Sequence, residues 1–168
     1  MTILSQDLDN FAASTSAAAW FGRLFGVALP RGLREQVDGL SWEGFVDVYG
    51  HTAGPVRLRH WSCDDAARPA TRIGPHARNF RAVIAVGDRI GTSTAAAGGA
   101  VAALTAMLHG RGIPLEVLSF HQICSGNDMA TLVRGTDGVR TEWAMGWAAD
   151  STESALRAVI ACVNRLLD

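Results

Sequence analysis

The sequence predicts an α+β fold: two copies of a unit of three strands and one helix, related by a pseudo-two-fold, with helices covering one face of antiparallel sheets and a small helical subdomain in front. Three observations predict it. Apolar residues recur at helical spacing over 1–52, period-two runs arrive in threes over 53–168, and each set of three is followed by an alanine-rich helical run.

In the first part, Leu8, Phe11 and Ala12, and then Trp20, Phe21, Leu24 and Phe25, fall on helix faces, and Gly26 closes the run. Pro30 opens a short segment over 30–37. Ser41 is a helix N-cap ahead of an apolar face made by Trp42, Phe45, Val46 and Tyr49. The second part begins with a strand over 56–61, with Val56, Leu58 and His60 on one side and Arg57, Arg59 and Trp61 on the other. Residues 63–78 carry two prolines, a glycine and mixed charge, and read as a loop. A hairpin follows, with strands over 80–86 and 89–94 and a turn at Gly87-Asp88. A helix over 97–109 presents Val101, Leu104 and Leu108 inward and stops at Gly110 and Gly112.

The same order then repeats: strands over 115–123, 129–134 and 139–147, then a helix with Leu156, Val159, Ile160, Val163 and Leu167 on its inner face. Asp150 is its N-cap and Glu153 completes a capping pair. Ala96-Ala97 superposes on Ala148-Ala149 and Ala103-Leu104 on Ala155-Leu156 at one constant offset, and the hairpins match if the second has the longer turn. In the last strand Val139, Thr141, Trp143, Met145 and Trp147 make one side, too apolar to face water, while Arg140, Glu142, Ala144 and Gly146 make the other. A sheet face left uncovered by helices is a surface for self-association, so a homodimer is expected, with a solvated face in a monomer as the alternative.

Composition excludes several classes. The net charge of -1 lacks the basic excess that phosphate binding needs, so no nucleic acid is expected. No apolar run reaches the ~20 residues of a membrane span, and MTILSQDLDN is not a secretory signal. Cys63, Cys124 and Cys162 are too widely spaced for a metal pair or a disulfide framework. The expectation is a cytoplasmic protein with no metal and no cofactor.

Each unit presents a run of small residues leading into a helix, 95–100 in the first and 146–152 in the second. Free amides at a helix start suit a carboxylate, and a shared cleft between the two mouths would take a small amino or keto acid. The plain alternative is that glycine and alanine let strand and helix pack closely. The expected ligand contacts are Gly98, Gly99, Ala100 and Val101 from the first mouth, Trp147, Ala148, Ser151 and Thr152 from the second, and Phe120 and His121 from the strand between.

These residues also carry a resemblance. Residues 140–147, RTEWAMGW, followed by 154–165, SALRAVIACVNR, resemble the C-terminal end of 2-isopropylmalate synthases, where a T-x-W-G-x-G strand leads into an S-L-R-A-V helix ending in N-R. Residues 112–121 resemble the family's central strand, and 26–33 with 42–45 its linker subdomain. The resemblance implies a regulatory and dimerisation domain that binds an end-product amino acid, detached from the TIM barrel that holds the metal and the acetyl-CoA site. It implies a separate barrel subunit as partner, because His51, His60, His76, His109 and His121 form no HxH pair. The chain departs from the family's glycine-rich first loop, with Ala95, Ala97, Gly99 and Ala100 at its motif positions, and has Trp147 where the family has a smaller residue.

A different class of reading makes the domain a small independent acid–base enzyme, of isomerase or cyclase type, with His121 as base beside Cys124, Asp128 or Glu142. Spacing shows no partner that would orient His121. In the simpler reading His121 is a hydrogen-bonded strand histidine and Cys124 a small hydrophobe. A third class is a scaffold that docks a barrel without binding any ligand.

Overall fold

The computed structural model describes residues 15–64 and 77–168. Leu8, Phe11 and Ala12, and most of the loop read over 63–78, lie outside the described residues. Three short helices come first: α1 (Ala17–Phe25), α2 (Arg31–Gln36) and α3 (Trp42–Tyr49). Ser16 and Ser41 cap α1 and α3 through hydroxyls that accept from Ala19 N at 3.3 Å and Gly44 N at 3.1 Å. The Ala17 amide donates to Leu40 O at 2.8 Å, which ties the two helix starts together. Gly26 ends α1 with φ 69, a left-handed cap that favours glycine.

Strands β1 (Val56–Cys63), β2 (Arg78–Val86) and β3 (Arg89–Ala97) form one antiparallel sheet in that order, and α4 (Ala100–Gly110) follows. Strands β4 (Glu116–Ser125), β5 (Asp128–Thr136) and β6 (Thr141–Ala148) form the second sheet, and α5 (Ser151–Leu167) follows. The duplicated three-strand-plus-helix unit is therefore real. Its register is one residue off the one the alanines suggest: Ala97 ends β3 as Ala148 ends β6, and Gly99 caps α4 as Asp150 caps α5. Alanines repeat too often along both helices to fix the offset. The second hairpin does have the longer turn, over 137–140, where Asp137 Oδ1 accepts from the amides of Val139 and Arg140.

Each helix covers its own sheet, and the two helices meet. One core runs through both units, joining Phe80, Ala82 and Ile84 of β2 to Leu104 and Leu108 of α4 and to Val133, Ala144 and Val159 of the second unit. The second sheet is covered on its other face as well. Phe21, Phe25, Leu33 and Phe45 of the helical part pack against Ala130, Leu132, Trp143 and Met145. Trp143 and Met145 on the apolar side of β6 are thus buried by the chain's own helices, while Val139, read onto the same side, falls in the turn ahead of β6 and is 92% exposed.

A bulge corrects the reading of β1. Leu58 pairs with Ile84 and His60 with Val83, so Arg59 is the extra residue. Beyond it Trp61 joins the inner side with Val56 and Leu58, and His60 is exposed. Strand β4 has the same irregularity at Leu118, between Val117 and Ser119.

Candidate functional site

The first mouth is narrower than the sequence suggests. Strand β3 runs on to Ala97 and α4 starts at Ala100 rather than at 97, so only Gly98 and Gly99 lie between them. Among the described residues no side chain caps α4. A Cβ built on Gly98 or Gly99 would meet nothing within 4 Å, and neither has the positive φ that demands glycine. Close packing therefore does not account for these two glycines. Ala100 and Val101, in the first turn, rest half-buried against the main core.

The second mouth is built differently. Strand β6 continues through Gly146, Trp147 and Ala148, and Asp150 caps α5 by accepting from Glu153 N at 2.8 Å. A Cβ on Gly146 would stand 1.9 Å from Ser154 O and 2.5 Å from Ala158 N. Here the plain reading holds, and glycine is needed to bring strand and helix together. Trp147 turns away from α5 and packs edge-on against Phe25 and Trp42 at centroid distances of 5.4 and 5.6 Å. It fills the aromatic layer under the helical part rather than a pocket at the mouth.

The remaining expected ligand contacts divide between the faces of edge strand β4. Phe120, opposite Val133, is on the α5 side and 44% exposed. His121, opposite Leu132, is on the other side, with its ring stacked on Trp143 at 6.2 Å. The candidate catalytic groups do not converge. Cys124 and Asp128 lie at the β4–β5 turn, while Glu142 sits toward the opposite end of the sheet, ion-paired with Arg140 at 3.1 Å and Arg165 at 2.8 Å. Among the described residues no cluster of His, Cys, Asp and Glu is arranged to hold a metal ion.

Ser151 is tied in through its carbonyl, which accepts from Gln122 Nε2 at 2.8 Å. Thr152 opens on a groove of about 590 Å³ between β1 and the N-terminal half of α5. Its far wall is Arg57, Arg59, His60 and Trp61, and no residue of the first mouth lines it. The common cleft expected for the two mouths is replaced by a groove pairing the second helix with the first sheet. Sequence reasoning missed this because the contributors lie about ninety residues apart and the β1 bulge reverses which side chains face inward.

No helix among the described residues is long and apolar enough to cross a membrane. No family model matches the chain. A similarity is found to a 2-isopropylmalate synthase of Renibacterium salmoninarum, 29% identical over 138 residues. The match takes in 75% of this chain but only 22% of that enzyme, so the likeness is to a limited part of a much longer protein.

Proposed function

We propose that the chain is a regulatory and dimerisation module of the 2-isopropylmalate synthase type. It takes a small branched-chain amino or keto acid at the first mouth and acts with a separate acyltransferase barrel as partner. The observation that carries this reading is the Gly98-Gly99 step into α4: an open, uncapped helix start whose glycines serve no packing need within the chain. Glycine at such a place lets a ligand approach the backbone, and free first-turn amides suit a carboxylate. The similarity to a leucine-pathway synthase favours an amino or keto acid over other carboxylates. The scattered positions of His121, Cys124, Asp128 and Glu142 give acid–base catalysis no common point of attack, so an independent enzyme is not favoured.

Calorimetry of the intact chain with leucine, isoleucine, valine and 2-oxoisovalerate tests the ligand. Saturable binding is expected for at least one, weakened about tenfold or more in Gly98→Leu. Flat titrations with all four would leave only a scaffold role. Sedimentation of the chain alone, and with a co-expressed barrel protein, tests the homodimer and the partner.

A further inference from the structure

The groove between β1 and α5 lies apart from the first mouth, and its walls carry opposite charges. Its volume of about 590 Å³ falls within the ~300–1,000 Å³ of small-molecule sites. The inner surface is apolar, with Trp61 on the β1 side and Leu156 and Ile160 on the helix side. On the strand wall Arg57 is already committed, donating to Gly54 O at 2.9 Å and Gly87 O at 2.7 Å. Arg59, pushed out by the bulge, makes no hydrogen bond or ion pair within the described residues. On the helix wall Asp150 uses Oδ1 to cap Glu153 N, which leaves Oδ2 unused there. Glu153 pairs with Arg157, whose other nitrogen donates to Trp147 O at 2.7 Å.

No ion pair spans the groove among the described residues. A cationic edge and a carboxylate edge thus face each other across an apolar floor without closing on one another. The equivalent place on the other unit lacks this pattern. There Leu118 stands at the bulge where Arg59 does, Phe120 matches Trp61, and Gly99 caps the helix where Asp150 does. The fold therefore does not require these charges, since the sister unit is built without them.

We infer that this groove is a second binding site, for a zwitterion with a bulky apolar side chain, either a free amino acid or a short peptide. Arg59 receives the carboxylate, Asp150 and Glu153 receive the ammonium group, and Trp61, Leu156 and Ile160 take the side chain. Charge-assisted hydrogen bonds at both ends make recognition depend on both signs being present.

Calorimetry on the intact chain with L-phenylalanine and L-leucyl-L-leucine, beside 3-phenylpropionate and phenethylamine, tests this. The expected result is saturable binding of a zwitterion, with each single-charge analogue at least about tenfold weaker. Arg59→Gln and Glu153→Gln are each expected to weaken it similarly, with an unchanged circular dichroism spectrum because both side chains are exposed. Gly98→Leu leaves it intact, which separates this site from the first mouth. The inference is overturned by any of three results: no binding of either zwitterion up to about 10 mM, 3-phenylpropionate binding as tightly as phenylalanine, or affinity that responds to Gly98→Leu and not to Arg59→Gln.

Discussion

Two glycines, one ahead of each long helix, show how differently the same residue is used. At Gly146 a methyl group would overlap the backbone of α5, so Gly146→Ala is expected to cost about 2–3 kcal/mol or more. At Gly98 there is open space, and Gly98→Ala is expected to change stability by less than about 0.5 kcal/mol. Urea unfolding of the two variants checks both, and a costly Gly98→Ala would return that glycine to a packing role. Neither outcome was legible in the sequence, where both stand in small-residue runs before a helix. Cys162 gives a second test at this scale. Burial pushes its thiol up to about 12, with a backbone hydrogen bond from Gly135 and the charge of Arg165 offsetting part of the rise. The unfolded thiol ionises near 9.0, so the folded state holds its proton more tightly. The resulting stability is full below that pH and is lost as pH climbs toward 12, at about 1.4 kcal/mol per unit within the window. Denaturant unfolding at about pH 8.5 and about pH 10.5 should show this decline, and Cys162→Ala should reduce it, leaving the part due to Tyr49, whose phenol is also pushed up by burial.

Among the elements, the strands and helices themselves were largely readable, because period-two and helical patterns change near Val56 and Ser151, whereas the alanine run hid the boundary between β3 and α4 and set the helix start at 97 instead of Ala100. Period alone cannot show an inserted residue, so the Arg59 bulge and the inward turn of Trp61 were hidden. It also cannot show a join between distant elements. Asn164 of α5 is buried; its Oδ1 accepts from Val56 N at 2.9 Å, and its Nδ2 donates to Val56 O at 2.9 Å and Thr52 O at 3.4 Å. One amide thereby satisfies both backbone groups of the first residue of β1. Asn164→Leu keeps similar volume but strands those groups, and is expected to cost about 2–4 kcal/mol. A thermal midpoint unchanged by this substitution would mean that water replaces the amide without loss. Gly54 supports the same join, since a Cβ there would lie 2.6 Å from the Asn164 side chain.

On the scale of the whole molecule, the two sheets differ in cover. The helical part shields the second sheet through Phe21, Phe25 and Phe45 and is pinned by Arg165, which donates to Val48 O at 2.9 Å and lies 4.5 Å over the Tyr49 ring. The division at residue 52, drawn from a change of pattern, therefore separates segments that share a core. A chain begun at residue 53 should expose Leu132, Trp143 and Met145 and is expected to bind apolar dyes and to aggregate. If it stayed monomeric and dye-free, the helical part would be dispensable. The sequence did supply the apolar stripe over Trp20, Phe21 and Phe25. It could not say which sheet the stripe would cover, since both offer apolar faces.

The helical part also has a bearing on how the molecule is made. Its three helices are translated before the second sheet, yet beyond one another the surfaces they rest on belong to β4, β5, β6 and the closing turns of α5. During synthesis they must wait, with Phe21 and Phe45 uncovered, until the second sheet and its helix have emerged. The helical part is made before its seat, which leaves a nascent stage vulnerable to off-pathway association and open to a chaperone.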